Sequence, residues 1–501
     1  MDASRSASPH PAPPARPHIM APLPRTPRRP RPQRLAAATV VAVLAFVSLG
    51  GAVAAGAADS PSGPKTLTGT FADGADWRIE VPAHWNGTVA LYQHGLVPPG
   101  EPNPATDSSD PLSADHLLGH GVAIAGSSFA TTGWAVEDGL RDQLHVLDVF
   151  EQRVGHPART VTWGDSMGGL MAVTLAERHP DRIDGALSMC GLDAGGVALW
   201  NSYLDVLFTL RTLVAPDAHV ELVDLHDPFG SLDRLQHAMD AAQKTPKGRA
   251  RLALAAAVGD IPGWVDADAP EPAAEDVATQ QRNQFRTMHD TTAVLGLLER
   301  AEFEARAGGN PGFNTGVDYA DLLHRSTDRH EVERLYAQAG GHLGADLQAL
   351  ADAPRIPADP GAVHYLERFA SFTGDLRRPV LTLHDEADPL APVENDQAYL
   401  ATARAAGRGA LLRRTFVHRA GHCTFTPAEK VTALQTLLRR IDRGRWDDST
   451  DAAVLEARAR ALGPDLNVAL GDGGQVFPVD PAFSAFTPGP YLRPHDLAGA
   501  R

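Results

Sequence analysis

The sequence predicts an α/β protein: a mostly parallel, eight-stranded sheet with helices on both faces and a large helical insertion. Three observations carry this. Short β-branched and apolar runs alternate with segments of helical spacing. Several of those runs are apolar throughout, as strands buried on both faces are. Residues 192–373, between the sixth and seventh runs, carry helical patterns and few strand signals.

Taken in order, Thr66–Phe71 and Asp76–Val81 predict two short strands. Gly87–Gln93 (GTVALYQ) predicts a third, ending at His94-Gly95, and Gly121–Gly126 (GVAIAG) a fourth. Across Glu137–Val154, Leu140, Leu144, Leu147, Val149 and Phe150 form an apolar stripe at helical spacing. Thr160–Trp163 predicts the fifth strand and Gly168–Arg178 the helix after it. Gly185–Cys190 (GALSMC) is the sixth strand, Pro379–His384 (PVLTLH) the seventh and Leu411–Val417 the eighth; Pro427–Ile441 predicts a helix.

Between strands six and seven, helical patterns cover Leu199–Leu213, Leu232–Ala242, Gly248–Val258, Thr292–Ala307, Glu331–Gln338 and Val363–Phe372. A structureless loop of that length is uncommon in a compact domain, so the segment reads as a helical cap. After Asp448 the chain is proline-rich and predicts an irregular wrap over the surface. The organisation is therefore an export segment at 1–57, a first core half at 58–191, a cap at 192–373, a second core half at 374–445, and an irregular extension at 446–501.

Composition narrows the function. With 43% hydrophobic and 21% charged residues the chain is globular and not disordered. Its formal charge is −16, yet residues 1–34 hold seven arginines against one acid, Asp2, so the rest carries −22. A body this acidic argues against nucleic acid or an anionic membrane as partner. Two cysteines, Cys190 and Cys423, are too few for a disulfide scaffold or a multi-cysteine metal centre.

The N-terminus reads as an address. Residues 1–34 mix ten prolines with the arginines, Leu35–Val53 is uncharged and weakly apolar, and Ala55-Gly56-Ala57 fits the small-residue cleavage pattern. That is a secretory signal, with Met20 as an alternative start. The rival is an uncleaved anchor facing outward. Arg28-Arg29 is followed by Pro30-Arg31-Pro32, a poor twin-arginine match, so the export route stays open. The expected product is a secreted chain with no membrane attachment in its mature form; its oligomeric state is not readable.

The motif with chemical content is Trp163-Gly164-Asp165-Ser166-Met167-Gly168-Gly169, which contains G-x-S-x-G. A nucleophilic serine must stand on a turn so tight that side chains two residues away on either side collide, and Gly164 and Gly168 remove them. The motif follows a strand and opens a helix, as this chemistry requires. A serine hydroxyl also needs a base, and the base needs a carboxylate to hold its tautomer. His422 lies just past the eighth strand. Asp388 lies past the seventh, with Asp385 as a rival three residues nearer the strand.

The order Ser…Asp…His and the strand–elbow–helix context resemble the α/β-hydrolase superfamily, in its cap-bearing serine esterase and lipase-like branch. The resemblance covers roughly residues 81–441, with the cap unmatched. Leu383–Pro392 is similar to the family's strand-G-x-x-D-P-x-x-P run, with Asp385 at the glycine position, which favours Asp388. His94-Gly95-Leu96 looks like the family's oxyanion loop, so the resemblance implies an oxyanion hole from the backbone N–H groups of Leu96 and Met167, and a structural role for His94. Tannase and feruloyl-esterase relatives bridge a cysteine after the histidine to one just before the serine. Cys423 follows His422, but Asp165 precedes Ser166, so Cys190 is the candidate partner in an exported chain with two cysteines.

The expected activity is hydrolysis of a small-molecule carboxylic ester through an acyl-enzyme, with no metal and no cofactor. A secreted aminopeptidase of the same fold is the alternative, although Leu96-Val97-Pro98-Pro99 departs from the HGGPG loop of such enzymes. A non-catalytic binding module is the third reading, disfavoured by three intact triad positions. Specificity would sit in the cap, where Trp200, Tyr203, Phe208, Phe285 and Phe313 are either pocket walls or the cap's own core.

Overall fold

A computed structural model describes residues 63–470 and 475–493, so the expected signal at 1–57 lies outside it. The sheet contains β1 (Lys65–Thr70), β2 (Asp76–Val81), β3 (Thr88–Gln93), β4 (Val122–Ser127), β5 (Arg159–Asp165), β6 (Gly185–Met189), β7 (Val380–Ala387) and β8 (Leu412–Ala420). Their spatial order is β1-β2-β4-β3-β5-β6-β7-β8. β1 pairs antiparallel with β2, and β2 with β4; every later pairing among the eight is parallel. This is the α/β-hydrolase fold expected from the sequence.

Burial explains the legibility of the strands. Every residue of β3, β4 and β6 is buried, so each reads as an apolar run, whereas β1 at the sheet edge is half polar. Strand ends were harder to see. β5 runs on through Gly164 and Asp165, which pair with Ser188 and Met189 of β6. β7 continues past His384, with Asp385 pairing with Val417 and Ala387 with Ala420 of β8. Backbone pairing carries these residues past the point where side-chain hydrophobicity stops.

Helices fill the segment between β6 and β7, from Gly196–Leu213 to Pro360–Ala370. Val277–Thr287, Tyr319–Arg325 and Leu343–Asp352 are helices without a clear signal in the sequence. The expected helix over Thr292–Ala307 is instead two π-helical turns, Met288–Thr292 and Leu295–Glu299, leading into Arg300–Ala307. One apolar cluster lies within the segment and includes Leu204, Phe208, Leu235, Leu252 and Tyr336. A second cluster joins Trp200, Phe303 and Leu366 of the segment to sheet and helix residues such as Leu91 and Leu170. We propose that 192–373 is a cap, because it builds a core of its own.

The C-terminal extension is not irregular throughout, which corrects the expectation for 446–501. Ala452–Ala461 is a helix, and Phe483–Ser484 adds an antiparallel strand beside β8. The chain then returns to the inserted segment. Arg493 Nη1 donates to Asp205 Oδ2 at 2.6 Å, and Leu492 is buried in the segment's apolar cluster. Single anchors of this kind have no periodicity to read. No helix among the described residues is long and apolar enough to cross a membrane.

Candidate active site

The chain steps to opposite sides of β3 in forming β4 and β5, and at such a switch point an open α/β sheet generally leaves a crevice at the carboxyl ends of its strands. Ser166 follows β5 at that point. Its backbone sits at φ 58°, a strained value for a residue with a side chain. Gly164 and Gly168 make the turn possible. A Cβ on Gly168 would lie 2.0 Å from the Gln93 carbonyl oxygen, and one on Gly164 2.6 Å from the same atom. Gly168→Ala is therefore expected to destabilise the fold by at least about 2 kcal/mol, the scale of overpacking in a rigid core. Urea denaturation of the variant checks this.

The helix Met167–Arg178 begins at the next residue, aiming its N-terminal dipole at the serine. Ser166 Oγ donates to His422 Nε2 at 2.8 Å, and His422 Nδ1 donates to Asp388 Oδ2 at 2.7 Å. The three side chains thus form one hydrogen-bonded chain across β5, β7 and β8. Asp388 is fully buried, and its Oδ1 accepts from the backbone N–H groups of Leu390 and Ala391. Burial by itself would raise its pKa. The charge and hydrogen bond of His422, with His384 close by, outweigh that and hold it down at about 2.

Asp385 does something else. Its two oxygens accept from the backbone N–H and the hydroxyl of Thr424, both at 3.0 Å, which ties down the turn that carries His422. Burial and the nearby Asp388 push its carboxyl well above the ordinary range. The same turn is held by Gly421 N–H donating to Ala387 O. Behind it, the buried Arg419 pairs with Glu429, whose carboxylate also caps the helix Pro427–Arg443. His384, buried and 3.6 Å from Asp388 Oδ2, donates through Nε2 to Ala391 O.

Cys190 and Cys423 form a disulfide with Cα atoms 5.3 Å apart. It links the end of β6 to the residue after His422. Removing it with the double substitution Cys190→Ala and Cys423→Ala is expected to cost up to about 5 kcal/mol, since the bridge closes a long loop in the unfolded chain. Non-reducing peptide mapping checks the pairing, and denaturation of the double variant the cost.

Leu96 and Met167 both border the cavity beside Ser166, and a Cβ on Gly95 would come within 3.5 Å of Ser166 Cβ. His94 does not face the serine. It stacks on Phe129 with centroids 3.8 Å apart, and its ring nitrogens lie against the carbonyl oxygens of Gly95 and Ser128. Burial lowers its pKa, and the two backbone contacts work the other way.

The cavity at Ser166 has a volume of about 370 Å³ and is walled mainly by apolar side chains. Trp200 and Tyr203 line it. Phe208 does not: it stacks on Tyr319 inside the inserted segment. Phe285 packs against that segment's core, and Phe313 packs below Arg493. The sequence reading missed Trp134, Glu299 and Leu390, which also line the cavity. Trp134 stands in the loop after β4, where its backbone N–H donates to Glu302 of the inserted segment. A loop tryptophan and a single helical glutamate carry no local signal of that placement.

No protein-family model matches the chain. It is 31% identical over 439 residues to an o-phthalyl amidase of Xanthobacter agilis, an alignment covering 81% of this chain and 94% of that protein. Among solved structures, feruloyl esterase B from Aspergillus oryzae matches at a TM-score of 0.37 with 11% identity, covering 77% of this chain and 82% of that one. A further esterase from Aspergillus oryzae matches at 0.37 and 12%, over 86% and 89%. An acylaminoacyl peptidase of Pyrococcus horikoshii matches at 0.37 and 9%, over 78% and 43%. With 31% identity along nearly all of the amidase, this chain belongs to the family of the Xanthobacter agilis o-phthalyl amidase.

Proposed function

We propose that this chain is a serine hydrolase that cleaves amides and esters of small aromatic acyl groups through an acyl-enzyme. The observation that carries the reading is the unbroken hydrogen-bond chain from Ser166 through His422 to Asp388. His422 Nε2 takes the hydroxyl proton as Ser166 Oγ attacks the acyl carbon. Asp388 holds the ring and balances the imidazolium that results. The backbone N–H groups of Leu96 and Met167 stabilise the oxyanion, where losing one donor typically costs about 10²–10³ in rate. His422 then passes the proton to the departing amine or alcohol, and water attacks the acyl-enzyme by the same relay.

Amide cleavage is supported by the amidase relative, and the ester expected from the sequence follows the same steps with an easier leaving group. The aromatic acyl group is supported by Trp134, Trp200 and Tyr203 in the cavity wall. A volume of about 370 Å³ suits one compact ligand, at the low end of the roughly 300–1,000 Å³ seen for small-molecule sites. Secretion is supported by the basic, apolar and small-residue order of 1–57 and by the Cys190–Cys423 bridge.

Hydrolysis of p-nitrophenyl esters, aryl amides and aminoacyl 4-nitroanilides by the purified protein tests the reading. Turnover of aryl amides and esters is expected. Turnover of aminoacyl anilides alone favours the aminopeptidase alternative, and inactivity on all three classes overturns the hydrolase. N-terminal sequencing of protein recovered from culture medium tests export, with a start near Ala58 expected.

A further inference from the structure

A second histidine adjoins Asp388. Asp388 Oδ2 lies 2.7 Å from His422 Nδ1 and 3.6 Å from His384 Nε2. His384 stands in β7 and has no exposed surface. Its protonation follows from its contacts. Nε2 lies 2.7 Å from the carbonyl oxygen of Ala391, which only accepts, so Nε2 carries a hydrogen. Nδ1 lies 3.4 Å from Oδ2 of Asp396, which is also fully buried. Among the described residues, neither oxygen of Asp396 has a conventional hydrogen-bond donor. A bare lone pair on Nδ1 would repel that carboxylate in a site without water, so one proton lies between them. Asp388, a carboxylate near the other ring nitrogen, draws that proton to the ring. Burial by itself would lower the pKa of His384; the charges of Asp396 and Asp388 outweigh it and raise it well above the ordinary value.

Three more acids and one arginine surround this pair. Asp193, after β6, accepts from Ser188 Oγ at 2.9 Å, and burial with the Asp396 charge pushes its carboxyl up to about 7. A proton on Asp193 supplies a donor for Asp396. Glu394, beside the helix Asn395–Ala405, is pushed up to about 7 by burial, and Asp385 is raised by burial and by Asp388. Arg414 of β8 senses the charge of Asp396. Asp193, Glu394 and Asp385 therefore hold protons more readily than ordinary carboxyls, and the negative charge concentrates on Asp396 and Asp388, at the two nitrogens of the ring. We propose that His384 is a positioning residue of the hydrolase, an imidazolium held by Asp396 that offsets part of the charge of Asp388. Asp388 then orients His422 without fixing a proton on it, and His422 Nε2 stays free to accept from Ser166.

This inference rests on the reading of the chain as an amide and ester hydrolase, and the experiment separates the two. The acid limb of the kcat/KM–pH profile for a p-nitrophenyl ester reads the protonation of the general base. Two variants remove the cation: His384→Gln, whose amide can still donate to Ala391 O, and Asp396→Asn, which takes away the ring's counter-charge. Both are expected to move that limb to higher pH by at least about 0.5 unit, the weak end of a charge–charge interaction across a partly shielded site. KM is expected to stay within about threefold. A merely structural role lowers the active fraction and leaves the limb in place. In wild-type protein carrying isotope-labelled histidine, nitrogen NMR at about pH 9 is expected to show one ring still doubly protonated, where an ordinary histidine is neutral. An unmoved limb in either folded variant overturns the inference, as does a wild type with no imidazolium at that pH, a result that needs no variant to fold. If p-nitrophenyl esters are hydrolysed in either of those cases, the hydrolase reading stands alone. If no ester or amide is hydrolysed at all, both fall.

Discussion

Replacing Ser166 with alanine is expected to lower ester and amide turnover by at least about 10⁴-fold, the scale on which losing a triad nucleophile acts. The fold should survive. Ser166 holds its neighbours through its backbone: its N–H donates to Met189 O at 2.9 Å, and its carbonyl accepts from Gly169 and Leu170. Alanine keeps all of these. Among the described residues, the hydrogen bond lost is the hydroxyl's donation to His422. An unchanged circular dichroism spectrum and melting temperature, together with lost turnover, is the expected pair of results. An organophosphonate should label Ser166 in the wild type and leave the variant unmodified, as read by peptide mass spectrometry. A folded variant that keeps its turnover refutes the assignment.

The second large effect separates the two aspartates. Asp388→Asn should lower kcat by about 10⁴-fold, because the amide presents its donors where His422 Nδ1–H needs an acceptor. Asp385→Asn should act differently. It weakens the two Thr424 hydrogen bonds that seat the histidine turn, so the loss should be smaller and should appear in thermal stability as well as in rate. The reverse ranking assigns the carboxylate role to Asp385. The folded pKa of Asp388 lies at about 2, below its ordinary 3.8. A depressed carboxyl stabilises the fold at pH values above 3.8 and loses that contribution as pH falls toward 2. The wild type should therefore lose stability in that window more steeply than Asp388→Asn.

The sequence by itself determined the sheet, the elbow and three residues, Ser166, Asp388 and His422, that the fold brings into one hydrogen-bonded chain. β3, β4 and β6 are buried on both faces, so their hydrophobicity is continuous and local. The Ser166 turn needs glycine on either side because a Cβ there strikes the Gln93 carbonyl, and such a clash leaves a mark within a few residues of chain. Asp388 and His422 were found because each directly follows a legible strand. The surrounding pattern also favours Asp388 over Asp385, and it is Asp388 that His422 hydrogen-bonds.

Tertiary structure alone decided what surrounds that relay. Trp134 and Glu299 line one cavity although 165 positions separate them, and no local pattern marks either as a wall residue. Phe208 and Trp200 look alike in sequence, yet one packs inside the inserted segment and the other lines the cavity, because helix rotation and crossing set which face is covered. Arg493 reaches Asp205 across nearly three hundred residues. Asp385 changes from a rival for the relay into a brace for Thr424 because β7 and β8 are neighbours and a bulge lies beside it. Local spacing encodes strands, turns and the residues beside them. Pocket walls are sums of contacts between distant segments, and these are settled only when the helices between β6 and β7 pack against the sheet.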